Sequence, residues 1–419
     1  MQHLNTYSGY QPSIDSLAPT AGPIYLDYNA TTPIDPRVAN AMIPYLCKHW
    51  GNPSSSHVYG QAAKRGVDKA REQVAKALGT QPKSILFTSG GTESANHAIK
   101  GAVARKKMAM LRATSGNGIG SSNMNNSIPV GHTAYSWGST GSNSSQSLLP
   151  HVITSITEHP CVLQVCEHLA NTNQITLTVL NVNEMGQINI NDIEKNVCKE
   201  TALVTIMHSN NESGVIQDIA TIAKVARETS KSLGGDECGG ILIHTDASQS
   251  MGKVKLDVKT LNVDLLTLAG HKVYAPKGVG CLFMKEGSVD DFPVFMHGAG
   301  HENGRRAGTE NVLLVAGFGE GCEIANNELA DNDHKDHLIN MSTMLYNELN
   351  ALCSKDSDGN SQLRINGPPL ASGNAMRLPN TLNIGFNNVT SDELMNGNFF
   401  VIVFVFVFVF FNCPQMQLP

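Results

Sequence analysis

The stretch VDLLTLAGHK, residues 263–272, decides the fold class of this 419-residue chain. Val263 to Ala269 form an apolar run that predicts a buried strand, and Lys272 follows directly behind it. A lysine is usually a solvated surface charge. Where a buried strand ends, however, a lysine can lose its water, which lowers its pKa and suits it to nucleophilic chemistry. Lys272 is therefore a candidate catalytic residue.

Similar apolar runs recur along the chain, and each predicts a short strand. They are residues 84–88, 152–156, 175–180, 203–207 and 241–245. Helical patterns lie between most of them, for example over 61–78, 95–103 and 219–233. Apolar strands that alternate with helices are typical of an α/β fold whose largely parallel sheet is covered on both faces.

The composition restricts the partners and the compartment. The net charge is −6, from 30 basic and 36 acidic residues, and no long basic run occurs, so we expect neither a nucleic-acid nor a membrane partner. The nine cysteines are scattered without a CxxC pair, which is typical of a reduced compartment. Cys161, Cys166 and His168 match no zinc pattern, so we expect core packing and no metal. Residues 1–24 show no targeting pattern, and we expect a cytoplasmic protein.

Two segments interrupt the alternation of strands and helices. Residues 113–148 are rich in Ser, Gly and Asn and predict a disordered surface insertion. Phe399–Phe411 is an unbroken Val/Phe/Ile run of 13 residues. A membrane span needs about 20 residues, so this run is either a buried strand or an aggregation-prone segment.

Polar groups follow several of the predicted strands. Ser89–Glu93 joins a strand to a helix through glycines, which indicates either an anion site at the helix N-terminus or an ordinary turn. Asp246 follows the 241–245 strand and is either a ligand-binding carboxylate in the crevice of the sheet or a helix cap. His159 could stack on an aromatic ligand or lie in the core, and Asn211 could bind a ligand or form a turn.

Because the carboxyl ends of parallel strands meet at one edge, these groups and Lys272 with its neighbour His271 should share one crevice. In order along the chain, eight motifs then resemble the cysteine desulfurase and selenocysteine lyase group of the class V aminotransferases, from about residue 25 to 394. They are YLDYNATTP (25–33), GNPSS (51–55), SGGTE (89–93), EH (158–159), NNE (210–212), DASQ (246–249), GHK (270–272) and RAGT (306–309).

The resemblance implies a fold-type-I pyridoxal phosphate (PLP) enzyme. A large PLP-binding domain over 25–300 would contain a mostly parallel mixed sheet flanked by helices, and a smaller α+β domain would be partly present over 301–394. Lys272 would bind the cofactor covalently and later move protons. The other implied contacts are the phosphate for Gly91, Thr92 and His271, the ring face for His159, the ring nitrogen for Asp246, and the hydroxyl side for Asn211 and Gln249.

Two further residues have implied roles at the edge of the site. Thr309 would reach the phosphate of a neighbouring subunit, which implies a homodimer. Arg306 could bind the carboxylate of a substrate, although a structural ion pair explains an arginine there equally well.

The resemblance implies cleavage of L-selenocysteine or L-cysteine to L-alanine. Three features favour selenocysteine: the long insertion before His151, the stretch Gly234–Gly239, and Ala269 where desulfurases commonly carry a serine. Residues 207–212, by contrast, are equally typical of a desulfurase. We therefore predict a selenocysteine lyase, with a cysteine desulfurase as the alternative and a plain aminotransferase as a less favoured one.

The tail over residues 395–419 resembles nothing in the family. The family continues with a mobile loop that carries a reactive cysteine and with an arginine that binds the substrate carboxylate, whereas this chain has no Lys or Arg after Arg377 and its one tail cysteine is Cys413. Our hypothesis is that the tail is read from non-coding or frame-shifted sequence. A truncated, PLP-binding but catalytically impaired chain is therefore a further alternative.

Overall fold

The structure, a computed structural model, describes residues 25–115, 149–330, 332–353, 362–370 and 376–387. The predicted N-terminal segment 1–24 and the tail 395–419, with its Val/Phe/Ile run, lie outside the described residues. So does most of the predicted 113–148 insertion. Its first three residues are helical, because the helix that begins at Gly91 continues to Ser115. The insertion therefore begins later than the composition indicates.

The described residues form strands and helices that alternate as predicted. The helices are α1 (Pro36–Cys47), α2 (Val58–Ala77), α3 (Gly91–Ser115), α4 (Pro160–Asn171), α5 (Ile190–Asn196), α6 (Ile219–Ser232), α7 (Val258–Leu261), α8 (Val312–Leu329) and α9 (Asn332–Leu352). The strands are β1 (Ile85–Thr88), β2 (His151–Ser155), β3 (Thr176–Leu180), β4 (Thr201–Thr205), β5 (Leu242–Asp246), β6 (Leu265–Ala269), β7 (Gly280–Met284), β8 (Leu363–Ile365) and β9 (Ile384–Phe386).

Seven strands make one mixed sheet in the order β1-β7-β6-β5-β4-β2-β3. Strands β6, β5, β4, β2 and β3 pair in parallel, whereas β7 is antiparallel to both β6 and β1. Since two antiparallel pairings restore the direction, β1 runs the same way as β6. The carboxyl ends of β1, β2, β4, β5 and β6 therefore lie at one edge of the sheet, and the predicted mostly parallel mixed sheet is confirmed.

Helices cover both faces of this sheet. Within a strand, successive side chains point to opposite faces. Leu266 and Leu268 accordingly pack in a core with apolar residues of α2, α6 and α8. Their neighbour Leu265 packs in a second core with residues of α3 and α4. Two cores on opposite sides explain why the strands are apolar without polar alternation.

A smaller unit follows in the chain. Strands β8 and β9 pair antiparallel, and Leu363, Leu382 and Ile384 pack with Leu345 and Leu349 of α9. Helix α8, which precedes α9, packs in the core of the large sheet instead, where Phe318 contacts Phe87 edge-on with ring centroids 6.4 Å apart. The predicted division of the chain at residues 300 and 301 stays a prediction.

The described residues contain neither a membrane-spanning helix nor a metal-binding cluster. No helix in those ranges is long and apolar enough to cross a membrane. Nor does any group of three His, Cys, Asp or Glu side chains there have the arrangement of a metal site. Cys166, which the sequence placed near a possible metal cluster, is fully buried in the core beside α3 and α4.

Candidate active site

The carboxyl edge of the sheet carries a cavity of about 430 Å³. Eight of the ten predicted site residues line it: Gly91, Thr92, His159, Asn211, Asp246, Gln249, His271 and Lys272. They come from the ends of five strands that are far apart in sequence. The geometry that the strand-end pattern predicted, with one crevice collecting these side chains, is present in the structure.

Lys272 lies three residues beyond β6, in a short turn that begins at Gly270. Its ammonium donates hydrogen bonds to the main-chain carbonyls of Asn29 and Ala30. Burial lowers the pKa of Lys272 below its ordinary value, while the carboxylates of Asp246 and Asp27 act in the opposite direction. A lowered pKa increases the fraction of neutral amine, which is the nucleophilic form.

Asp246 is the last residue of β5 and is 8% exposed. Its Oδ1 accepts a hydrogen bond from the Ser248 main-chain N–H at 2.9 Å. The second oxygen, Oδ2, lies 4.0 Å from the Cys161 thiol, which also lines the cavity. The residues that follow Asp246 form turns and not a helix. The alternative of a helix cap therefore does not apply, and among the described residues Oδ2 has no donor other than the weak Cys161 thiol.

Behind Asp246 lies Glu158, whose carboxyl group is buried. Its Oε1 accepts hydrogen bonds from the Met207 main-chain N–H at 2.7 Å and from the Ser155 hydroxyl at 3.0 Å. Burial raises the pKa of Glu158 to about 8, and the nearby carboxylate of Asp246 adds to the rise. Glu158 is therefore mostly protonated at neutral pH.

His159 caps the N-terminus of α4, where its Nδ1 accepts a hydrogen bond from the Cys161 N–H at 3.1 Å. This bond fixes the orientation of the imidazole at the cavity wall. Burial and the cation of Lys272 lower the pKa of His159, although Asp246 opposes the shift. A neutral ring at this position is suited to stacking on an aromatic ligand.

The opposite end of the cavity meets the N-terminus of α3. Gly91 and Thr92 are the first residues of this helix, and such residues have main-chain N–H groups without partners inside the helix. Gly90, just before them, has φ +149°, and a Cβ there would contact nothing within 4 Å. A second hollow of about 500 Å³ adjoins here and shares Gly91, Thr92 and His271 with the first. This end is suited to an anion.

Glu93 brings a negative charge into the first turn of the same helix. Arg306 neutralises it with two hydrogen bonds, of 2.8 Å from Nε and 3.2 Å from Nη2. Although burial opposes the change, the bonds from Arg306 and from the Ser89 N–H lower the pKa of Glu93. The ion pair that the sequence left open is therefore present, and Arg306 does not line the cavity. Its binding of a substrate carboxylate stays a prediction.

Thr309 is the other predicted residue that does not line the cavity. Its side chain is exposed on the segment before α8. A role for Thr309 in a neighbouring subunit, and with it the homodimer, stays a prediction.

For some residues that line the cavity, the sequence predicted no role. Asn29 is the most connected of them. Its carbonyl accepts from the Gln249 amide at 2.9 Å and from the Lys272 ammonium, and its own amide donates to the Asn211 carbonyl at 3.0 Å. Asn29 belongs to the motif over residues 25–33, which was quoted for the resemblance alone. Cys161 and Ser248 also line the cavity, and their closeness to predicted residues in sequence was the available signal.

The cavity fits PLP on observations of the protein alone. The Gln249 side-chain oxygen is buried and has no hydrogen-bond partner among the described residues. Asp246 supplies an anion at one end, and the α3 N-terminus supplies donors for a phosphate at the other. A volume of about 430 Å³ lies in the range of sites for small ligands. Lys272 would then hold the cofactor between these two ends.

Comparisons with known proteins identify the family of this chain. Residues 24–114 and 143–392 match the family model described as aminotransferase class-V. The chain is 38% identical over 376 residues to the cysteine desulfurases IscS of Salmonella paratyphi B and Salmonella newport, which covers 89% of this chain and 77% of each relative.

Solved structures are similar as well. A NifS-like protein has a TM-score of 0.70 and 30% identity, over 90% of this chain and 85% of that one. The structure titled "SspA in complex with cysteine" has a TM-score of 0.64 and 30% identity, over 89% and 85%. The chain therefore belongs to the class-V aminotransferase family, in its cysteine desulfurase and selenocysteine lyase group, and is PLP-dependent.

Proposed function

We propose that this protein is a PLP-dependent cysteine desulfurase, which cleaves the carbon–sulfur bond of L-cysteine and leaves L-alanine. The names of the relatives support this substrate over the predicted L-selenocysteine, because the similar curated proteins are cysteine desulfurases and a similar structure is titled as a complex with cysteine. The observation that carries the proposal is the cavity itself, in which eight predicted residues meet around the Lys272 amine.

One end of the cavity would bind the phosphate of PLP, and the other end would bind its ring. Gly91 and Thr92, at the N-terminus of α3, would hold the phosphate with main-chain N–H groups, and His271 would contact it from the other side. Burial and the cations of Lys272 and Lys277 lower the pKa of His271 to about 4, so it would bind as a neutral hydrogen-bond donor. The Arg306–Glu93 ion pair would keep the carboxylate from repelling the phosphate.

The ring end would depend on Asp246. When bound, PLP supplies an electron sink for the bonds at the substrate's α-carbon, and a carboxylate beside the ring nitrogen strengthens that sink. Glu158, mostly protonated at neutral pH, would add no charge of its own at this end of the site. His159 would cover the ring face, and Asn211 and Gln249 would bond its hydroxyl side.

Lys272 would have two duties, to hold the cofactor and to carry a proton near the substrate. Its lowered pKa supports both, because burial increases the fraction of neutral amine, which can attack the cofactor and accept a proton. The main-chain carbonyls of Asn29 and Ala30 orient the amine at the cavity wall until it is used.

The substrate preference is tested by steady-state kinetics. We expect kcat/KM for L-cysteine to be substantial, with one alanine formed for each sulfur atom released. A dithiol added to the assay reduces that sulfur to sulfide and is itself oxidised to a disulfide. Ala269 lines the cavity where the resemblance associates an apolar residue with selenocysteine, so L-selenocysteine is the competing substrate to assay. Turnover of selenocysteine with no turnover of cysteine would replace this proposal by the lyase. PLP binding without alanine from either substrate would favour the impaired chain.

The predicted homodimer belongs to the same proposal. Thr309 is exposed and would be available to a second copy. Sedimentation of the purified protein would measure the oligomeric state. A Thr309→Ala variant that keeps its dimer but binds PLP more weakly would support a phosphate contact across the interface. Unchanged affinity would contradict that contact.

A further inference from the structure

Lys253 is a buried cation close to the cofactor lysine. It lies in the loop after β5 and is 7% exposed. Its ammonium donates one hydrogen bond, of 2.9 Å, to the main-chain carbonyl of Lys272. Among the described residues this is its only hydrogen-bond partner. Neither the strand-end pattern nor the implied cofactor contacts include this residue.

The energetics argue against a role for Lys253 in stabilising the fold. Moving an ammonium out of water is costly, and a single bond to a neutral carbonyl repays only part of that cost. Burial and the cation of Lys272 lower the pKa of Lys253 to about 7, which reports the same penalty. An apolar side chain of similar length would fill this space at lower cost. The Lys253 hydrogen bond is therefore better explained by a role in the active site than by a contribution to stability.

The bond joins two functional loops. The loop that begins at Asp246 carries Gln249 and ends at Lys253, where the Lys253 N–H bonds the Ser250 carbonyl in a turn. The loop after β6 carries His271 and Lys272. Through the Lys253 ammonium, the loop that would hold the ring is therefore connected directly to the main chain of the lysine whose amine would bond the cofactor.

This connection is to the main chain of Lys272, whereas the Lys272 amine bonds elsewhere. The amine donates to the carbonyls of Asn29 and Ala30, and it must leave them to reach a cofactor. Its main chain stays fixed meanwhile, because Lys253 holds the Lys272 carbonyl and Thr32 donates to the neighbouring carbonyl of His271. The Lys272 side chain can then change its rotamer while its main chain stays in place.

We propose that Lys253 is a positioning residue, whose ammonium fixes the main chain of Lys272 relative to the Asp246 loop so that the lysine amine meets the cofactor in the productive orientation. The inference rests on the proposed site and adds a residue that touches neither cofactor nor substrate.

The test measures how fast Lys272 captures the cofactor. Wild-type, Lys253→Met, Lys253→Arg and Lys255→Met proteins are stripped of cofactor and mixed with PLP. The Lys272 amine condenses with the aldehyde and releases water, and the resulting C=N bond is reduced by borohydride to a stable amine. Mass spectrometry of the Lys272 peptide then gives the captured fraction against time. Lys255 is a matched control, because it is exposed and lies two residues away.

We expect capture by Lys253→Met to be about tenfold slower, since one charge-assisted hydrogen bond is lost. Its melting temperature without cofactor should stay close to that of the wild type. Lys253→Arg, which still donates, should retain most of the rate, and Lys255→Met should match the wild type.

Three results would overturn the inference. They are a wild-type capture rate in Lys253→Met, equal slowing in Lys253→Arg and Lys253→Met, and failure of Lys253→Met to fold without cofactor, which would assign Lys253 to the fold. A different result would overturn the proposed site itself, namely a wild-type protein that never carries the cofactor on Lys272.

Discussion

At the scale of single residues, Arg306 can have either of two roles: it neutralises Glu93 at the end of the cavity that would bind phosphate, or it binds the substrate carboxylate. Both side chains are mostly buried, and two hydrogen bonds join them at the first turn of α3. If Arg306 neutralises Glu93, its loss leaves a carboxylate beside the helix end that would bind phosphate. If Arg306 binds the substrate, its loss should leave the cofactor unaffected.

We expect Arg306→Met to weaken PLP binding about tenfold, which is about 1.4 kcal/mol, because the unpaired Glu93 repels the phosphate. The double variant Glu93→Gln/Arg306→Met should recover most of the affinity. Fluorescence titration of the cofactor-free proteins with PLP measures both. A raised KM for cysteine with unchanged PLP affinity would instead assign Arg306 to the substrate carboxylate.

The sequence predicted a residue's place in the site only where that residue follows a strand, because its position in the chain then determines which residues lie near it. Lys272 and Asp246 follow apolar strands, and parallel strands end at one edge, so their meeting follows from pattern alone. The bond from Lys253 to Lys272 was not predictable in this way, since it joins two loops through a side chain whose direction no periodicity encodes.

At the scale of elements, Glu302 links its own segment to helix α2 and strand β1. Its carboxylate accepts two bonds from the Arg71 guanidinium of α2, at 2.6 and 2.8 Å, and one from the Phe87 N–H of β1 at 2.9 Å. The Glu302 side chain is 3% exposed, and its main chain has φ 49°. A non-glycine residue in this left-handed region carries some strain, which the buried bonds offset.

Glu302→Ala should therefore lower the free energy of unfolding by about 3–5 kcal/mol, because it removes the carboxylate that neutralises the mostly buried Arg71 cation. Urea unfolding measures the change. Asp68→Ala provides the matched control, because it breaks the exposed Lys64–Asp68 pair of α2. That control should cost less than about 1 kcal/mol. Equal losses of unfolding free energy in Glu302→Ala and Asp68→Ala would contradict the claim that the buried ion pair contributes more to stability than the exposed one.

Six of the seven strands of the large sheet, β1 to β6, were predicted as apolar runs, but β7 was not predicted. Ten residues, 270–279, separate the end of β6 from the start of β7, and no α-helix lies between them. A parallel neighbour requires a crossover of a dozen or more residues, usually helical, so this short connection dictates antiparallel pairing. Connection length was the available signal. Helix α3 was predicted over residues 95–103, and it continues past the apolar Met108 and Leu111 to Ser115.

At the scale of the whole molecule, buried imidazoles should make the fold sensitive to acid. His97 of α3 stacks on Phe295 with ring centroids 5.0 Å apart, and burial lowers its pKa from 6.5 to about 4. Between these two values the unfolded chain binds a proton at His97 that the folded chain does not. Stability from this group is therefore complete above about pH 6.5 and is lost as the pH falls toward 4.

The variant His97→Phe lacks that titration. As the pH falls from 7 to 4.5, the stability of the wild type relative to this variant should decrease by on the order of 1–3 kcal/mol. Urea unfolding at several pH values provides the comparison. Replacement of the exposed His168 by Phe should leave the pH dependence unchanged. Parallel pH curves for wild type and His97→Phe would refute the account.

The central claim, that this chain is a PLP enzyme that uses Lys272 to release alanine from cysteine, is tested most directly by one assay. The purified chain is incubated with PLP and L-cysteine, and alanine is measured for the wild type, Lys272→Ala and the exposed-lysine control Lys255→Ala. We predict alanine from the wild type and the control, and a loss of at least about 1,000-fold in Lys272→Ala, because the covalent and proton-transferring group is gone. Alanine formation by Lys272→Ala at the wild-type rate would contradict the claim.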